Sequence, residues 1–143
     1  MPSASYRIYA VRYAHRTCTS SEAFYGDHDG SPMGMDYFVW ALANGTHAVV
    51  VDLGFTEAVG SRRGRQFLRC PSRGLAEIGI DCAQVEHVVL SHFHYDHVGN
   101  YALFPRATVM SSCAGPSPPQ PLMVASIGAM TSSSRRPGTM ASS

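Results

Sequence analysis

The chain has 143 residues and a formal net charge of +1, so it is long enough for one domain with a buried core. The near-neutral charge gives no reason to expect a nucleic acid or an anionic membrane as a partner. Four cysteines without C-x-x-C spacing favour reduced thiols, and no apolar run in the sequence is long enough to span a membrane. The first 20 residues contain three arginines and lack the apolar core of a secretory signal, so we expect a cytoplasmic protein.

The first third of the chain begins with a strand and continues into a polar stretch. Residues 5–13 are rich in Tyr, Ile and Val, and their imperfect alternation predicts a strand at the edge of a sheet. Residues 14–35 are polar and rich in turn-forming residues. Gly and Pro on both sides of His28 favour a solvent-exposed turn over a metal ligand at that histidine.

A β-hairpin is the clearest local structure in the sequence. Residues 37–43 and 46–51 read as strands, and Asn44-Gly45 between them predicts a two-residue turn because both residue types tolerate positive φ. The second strand is almost wholly apolar, which is typical of a strand covered on both faces. We interpret His47, at its start, as a strand-end residue.

Short helices and strands alternate in residues 56–110. Residues 56–70 fit neither type clearly, and we interpret their arginines as a solvated loop in preference to a phosphate-binding cradle: Arg62, Arg63, Arg65 and Arg69. Residues 72–78 predict a helix that stops at Gly79. The later elements are a helical turn capped by Asp81, a buried strand at 85–90, a short helix at 101–104 and a strand at 107–110.

Four metal-binding side chains lie within six residues, directly after the predicted strand at 85–90: His92, His94, Asp96 and His97. Side chains two residues apart point to the same side of an extended chain, so His92 and His94 suit one cation. Once the chain turns, Asp96 and His97 can face a second, adjacent cation. Imidazole nitrogen with carboxylate oxygen favours zinc, with iron or manganese as alternatives. Chance clustering of histidines is the competing interpretation.

At these residues the sequence resembles the metallo-β-lactamase-fold hydrolases, and within them the N-acyl-homoserine lactonase-like branch. Besides the motif, the matching segments are residues 35–40, 51–55, 64–65, 75–81 and 104–105. The resemblance covers residues 5–110. It implies an α/β fold, the amino-terminal half of an αββα sandwich in residues 1–110, followed by a low-complexity tail at 111–143 that we expect to be disordered. The amidohydrolase barrels also use His-x-His after a strand, but Asp96 and His97 have no counterpart in that pattern.

The resemblance also implies a chemistry. Two zinc ions would lower the pKa of a water between them, and the resulting hydroxide would open a lactone or another ester, with an acyl-homoserine lactone first and a thioester second. Asp96 would be the catalytic residue that moves a proton to the leaving oxygen, as well as a metal ligand. Asp52, directly after the second hairpin strand, would lie beneath the metals and orient the ligand loop; capping its own loop is the alternative role.

The ligand set is incomplete in this sequence. In the resembled family, the second half of the chain supplies a third His, a bridging Asp and a last His. After His97 this sequence contains no His, Asp, Glu or Lys, and Ser, Pro, Gly, Ala and Thr dominate residues 111–143. We therefore expect a truncated or frame-shifted gene product. The alternative to a hydrolase is a catalytically incompetent metal-binding fragment, and the oligomeric state is left open.

Overall fold

A computed structural model of the chain describes residues 5–111 and 125–126, which form one seven-stranded sheet with short helices. The strands lie in the order β4-β1-β2-β3-β5-β6-β7. They are β1 (Arg7–Thr19), β2 (Pro32–Ala43), β3 (Ala48–Val51), β4 (Gln66–Phe67), β5 (His87–Leu90), β6 (Thr108–Ser111) and β7 (Ala125–Ser126). The α-helices are α1 (Ser20–Ala23), α2 (Glu57–Arg62), α3 (Pro71–Glu77) and α4 (Tyr95–Val98), and 3-10 turns lie at Cys82–Gln84 and Tyr101–Leu103.

The longest strands form an antiparallel ribbon between β1 and β2. Their register runs from Arg7 opposite Ala43 to Thr19 opposite Pro32, with a bulge between Arg12 and Ala14. The expectation of a turn-rich stretch at 14–35 was therefore wrong at both ends, because pairing across the ribbon extends both strands into polar sequence. The first strand is also not simply an edge strand, since β4 pairs with it at Ala14 and His15.

The predicted hairpin is confirmed, but its turn lies one residue further along the chain. β2 and β3 pair antiparallel, and the Asn44 N–H donates to the His47 carbonyl, so the turn is centred on Gly45 and Thr46. Positive φ occurs at Gly45 and not at Asn44. The Asn44 side chain instead accepts hydrogen bonds from the N–H groups of Thr46 and His47, a local bond that asparagine offers at turns.

The second part of the sheet is parallel. β3 pairs with β5 and β5 with β6, and the connections carry α2, α3 and the 3-10 turns. The predicted helix at 72–78 is confirmed as α3, and Gly79 follows it with φ of 80°. Asp81 caps the next turn by accepting from the Ala83 N–H at 2.9 Å, as the sequence predicted.

The two faces of the sheet differ in exposure. The face toward α3 is the core, where Tyr13, Val39 and Val50 are fully buried. On the opposite face, Trp40 is 44% exposed and Ile8 67% exposed. The expectation that β3 is covered on both faces was wrong, because Val50 is buried whereas its neighbours on the strand are half-buried.

The expected tail at 111–143 lies almost entirely outside the described residues. The described residues within it are Ser111, which ends β6, and β7, whose backbone pairs antiparallel with β6 at Thr108 and Val109. Every helix in the described part of the chain is too short or too polar to cross a membrane.

Candidate metal centre

The four predicted ligands lie on one turn between β5 and the 3-10 turn at Tyr101–Leu103. This segment, residues 91–100, is called the ligand turn below. It lies beside the residues that follow β3, because β3 and β5 are parallel and end at the same edge of the sheet. Backbone hydrogen bonds join the two segments: the Asp52 N–H donates to the Val89 carbonyl at 2.9 Å, and the Leu53 N–H donates to the His97 carbonyl at 2.8 Å.

Asp52 lies beneath the ligand turn and is 6% exposed. Its carboxylate accepts hydrogen bonds from the Ser91 N–H at 2.9 Å and from the Ser91 hydroxyl at 2.9 and 3.0 Å. A third group, His97 Nδ1, lies 2.8 Å from Asp52 Oδ2. Asp52 has φ of 62°, the one positive φ outside glycine in the described residues. That conformation is uncommon for a side-chain-bearing residue, although aspartate tolerates it better than most.

This network determines which histidine nitrogens are free. The Ser91 hydroxyl donates a hydrogen bond to Asp52. The Ser91 oxygen can therefore accept a hydrogen bond from His92 Nδ1, which lies 3.0 Å away. His97 Nδ1 donates to Asp52 in the same way. We assign both tautomers from this hydrogen-bond network. The assignment leaves Nε2 of each ring without its proton, which is the form that binds a metal.

The three imidazoles of the motif come together. The ring centroid of His92 lies 3.8 Å from that of His97 and 4.6 Å from that of His94. His92 and His94 are exposed, whereas His97 is half-buried. Imidazole nitrogen is a donor that zinc accepts, so the chemistry of these rings suits a zinc ion. Among the described residues, however, no group of three or more His, Cys, Asp or Glu side chains is gathered around one point.

Asp96 is held mainly through its backbone. It lies in α4, and its carbonyl accepts a hydrogen bond from the Tyr13 hydroxyl at 3.3 Å. Burial raises the pKa of Tyr13, so this hydroxyl stays protonated and keeps donating. The Asp96 carboxylate is half-buried, with Oδ2 3.5 Å from His97 Nε2.

The chain passes beneath the site at Gly99 and Asn100. The Gly99 N–H donates to the Gly54 carbonyl at 2.7 Å. A Cβ on Gly99 would lie 2.7 Å from backbone atoms of Gly54 and Phe55, so this approach requires glycine. Asn100 is buried, and its side-chain amide donates to the carbonyls of Leu53 at 2.8 Å and Phe55 at 3.0 Å.

A family model described as the metallo-beta-lactamase superfamily matches residues 33–119, more than half of the 143 residues. The chain belongs to this superfamily. The matched region contains the whole ligand turn and both strands that support it. No curated protein sequence matches the chain.

Solved structures with the metallo-β-lactamase fold resemble the chain. A quorum-quenching N-acyl homoserine lactone lactonase is 16% identical with a TM-score of 0.63, and the match covers 76% of this chain and 46% of that one. The B. thuringiensis protein AiiA with N-decanoyl-L-homoserine bound at its active site is 16% identical, TM-score 0.60, covering 75% and 48%. The dizinc quorum-quenching lactonase AidC is 14% identical, TM-score 0.55, covering 76% and 42%.

At these identities the likeness concerns the fold. The expected fold class is confirmed: the chain has an α/β fold with one mixed sheet, and it matches part of the metallo-β-lactamase fold. It spans less than half the length of the solved structures it matches.

Two residues that hold the ligand turn in place have no role that the sequence indicates. Ser91 links Asp52 to His92, and Tyr13 fixes Asp96 from 83 positions away. The adjacency of Ser91 to the motif was an available signal, whereas nothing local marks Tyr13. The interpretation of the arginines at 62–69 as a solvated loop was also wrong in part, because Arg63 and Arg65 both contact Tyr95 of the ligand turn.

Proposed function

We propose that this chain carries the metal-binding turn of a metal-dependent hydrolase that opens a lactone or another ester. The observation that supports this most directly is the Asp52–Ser91–His97 network. It orients the imidazoles of His92 and His97 so that their Nε2 atoms are free to bind a metal. The solved structures that resemble this chain include lactonases. Buried carboxylates that orient metal-binding histidines are a recurrent device in zinc enzymes.

His92, His94, Asp96 and His97 would hold the metal, with zinc as the first choice and iron or manganese as alternatives. We propose two ions, by analogy with the dizinc lactonase AidC, whose structure is similar. When bound, zinc polarises a carbonyl oxygen and lowers the pKa of water toward neutrality. Asp52 would accept the Nδ1 proton of His97 and so keep that ring in its metal-binding tautomer.

Asp96 is the proposed proton carrier of the reaction. Its backbone is fixed by the Tyr13 hydroxyl, while its half-buried carboxylate is adjacent to His97 Nε2. A carboxylate held this way can bind a metal. It can also accept the proton released by the attacking water and pass it to the alkoxide oxygen that leaves when an ester bond breaks. We propose a lactone or another ester as the substrate class, with an acyl-homoserine lactone as the first choice. This choice rests on the similar structures of AiiA and AidC, which hold N-acyl-homoserines.

A second candidate function is metal binding without turnover. It is favoured by the donor count, since the sequence after His97 contains no His, Asp or Glu, and the described residues gather no group of three donors. A catalytic zinc commonly has three protein ligands. Under either candidate we propose a cytoplasmic protein with a small-molecule partner and without nucleic acid or membrane binding.

The experiment is a lactone-opening assay on the 143-residue chain with and without zinc, together with the zinc content of the dialysed protein. Asp96→Asn is the test variant, and Asp27→Asn, at a carboxylate in the loop before β2, is its matched control. Zinc-dependent turnover lost in Asp96→Asn alone supports the hydrolase. Bound zinc without turnover supports the second candidate, and a chain that retains no zinc contradicts both.

A further inference from the structure

One continuous segment, residues 52–65, contacts the ligand turn in three places. Its first residue, Asp52, binds Ser91 and His97. Next, Gly54 accepts the hydrogen bond of the Gly99 N–H. The third contact comes from the loop between α2 and β4 and reaches Tyr95, which lies between the proposed ligands His94 and Asp96. The first two contacts support the turn from below, and of the three the proposed function uses only that of Asp52.

Tyr95 is the centre of the third contact. The Arg63 guanidinium carbon lies 3.8 Å from the centroid of its ring, and Arg65 Nε donates to its hydroxyl at 3.4 Å. Phe55, which is fully buried, stacks on the same ring with centroids 5.7 Å apart. Burial first, and then the neighbouring Tyr95 side chain, raise the pKa of Tyr37 to about 12, so the Tyr37 hydroxyl stays protonated.

α4 needs such a contact. It has four residues, and no side chain caps its N-terminus at His94. A helix this short is not stable by itself, because one turn does not recover the entropy of forming it. The α2–β4 loop is by contrast well fixed, since the N–H groups of Arg63 and Arg65 donate to carbonyls of α2. The loop can therefore transmit its own rigidity to the turn.

We infer that the α2–β4 loop latches the ligand turn and that Tyr95 is the positioning residue through which it acts on Asp96 and His97. The inference rests on the proposed metal centre for its purpose, but the latch itself is a property of the metal-free chain. Arg63 is exposed, so the latch can be weakened without disturbing the core. A cation–π contact at an exposed site contributes little free energy, so losing it should change the equilibrium between the closed and open turn about two- to five-fold.

The test measures amide hydrogen exchange in the full, metal-free chain and compares the wild type with the Arg63→Gln variant. The control is Arg62→Gln, which changes the neighbouring exposed arginine. The amides of His97 and Gly99 report on the turn, because both are hydrogen-bonded there. We expect Arg63→Gln to lower their protection about two- to five-fold. Arg63→Lys, which keeps a cation over the ring, should restore the protection. Tyr95→Phe should lower it, because the hydrogen bond from Arg65 is lost.

A cobalt titration of the same variants separates positioning from simple stability. We expect weaker Co²⁺ binding and an altered visible spectrum in Arg63→Gln and Tyr95→Phe, with wild-type behaviour in Arg62→Gln. Equal exchange and equal cobalt spectra in Arg63→Gln and Arg62→Gln would overturn the latch and leave the metal centre standing. A wild-type chain that binds no cobalt while the exchange difference persists would overturn the proposed function and leave the latch standing.

Discussion

Two carboxylate–imidazole pairs in this molecule have nearly the same length and very different surroundings. Asp52 and His97 are 2.8 Å apart with side chains 8% and 22% exposed, whereas Asp36 and His15 are 2.7 Å apart with side chains 31% and 32% exposed. Asp52 also binds Ser91, beneath the ligand turn. Asp36 also binds Arg12, across the β1–β2 ribbon on the exposed face of the sheet.

Contact length therefore does not measure what a pair contributes. A buried carboxylate that loses a partner leaves an uncompensated charge or donor, whereas water can replace the partner of an exposed one. The buried pair also restricts the tautomer and orientation of a proposed metal ligand, and the exposed pair restricts two neighbouring strands. The following predictions test this difference, in order of their expected effect on the free energy of unfolding.

Asp52→Asn should have the largest effect, a loss of about 3 kcal/mol, because three donors converge on a charged acceptor. The new amide keeps the shape and tolerates positive φ, but its NH₂ faces other donors. Metal affinity should fall about 10- to 100-fold as His97 loses its orientation. Urea unfolding and a zinc titration measure the two effects. A loss no larger than that of Asp36→Asn would contradict the distinction between the pairs.

Asn100→Ala should cost about 2 kcal/mol, because the carbonyls of Leu53 and Phe55 would lose their buried donor. The matched control is Asn44→Ala in the exposed hairpin turn, where water can replace the lost acceptor and about 1 kcal/mol or less is expected. Urea unfolding of both variants at neutral pH makes the comparison. Similar losses in the two variants would show that burial beneath the ligand turn adds nothing.

His94→Ala should change stability by no more than about 0.5 kcal/mol, because the side chain is exposed. Zinc occupancy should nevertheless be lost, since affinity at this site depends on the number of ligands. The readout is zinc per chain after dialysis, with His28→Ala, an exposed histidine outside the ligand turn, as the control. Equal zinc in both variants would exclude His94 as a ligand.

Asp36→Asn should have the smallest effect, a small loss of stability at neutral pH that disappears in acid. The hydrogen bond from His15, and then that from Arg12, lower the pKa of Asp36 below its usual value. Its contribution to stability is therefore present above the unfolded-state pKa of about 3.9 and is lost as the pH falls through the folded-state pKa. Thermal unfolding between pH 6 and pH 2 should show a shallower acid decline in the variant. Parallel pH profiles for variant and wild type would contradict this assignment.

Local patterns predicted much of this fold. The apolar run before the motif became β5, the helix at 72–78 formed as α3, and the Asp81 cap formed as expected. The hairpin also formed, although the Asn44 side chain bonds the turn amides and moves the turn by one residue. The length of β1 could not be predicted, because its polar second half is held by pairing with β2.

The sequence by itself determined the order and spacing of His92, His94, Asp96 and His97 and the strand that precedes them, because both depend on neighbours along the chain. Tertiary structure decided what supports them. Asp52 reaches Ser91 across 39 positions, and Arg65 reaches Tyr95 across 30. Such contacts exist only once parallel strands end at the same edge of the sheet. A residue's local preference carries no information about which distant side chain that packing brings beside it.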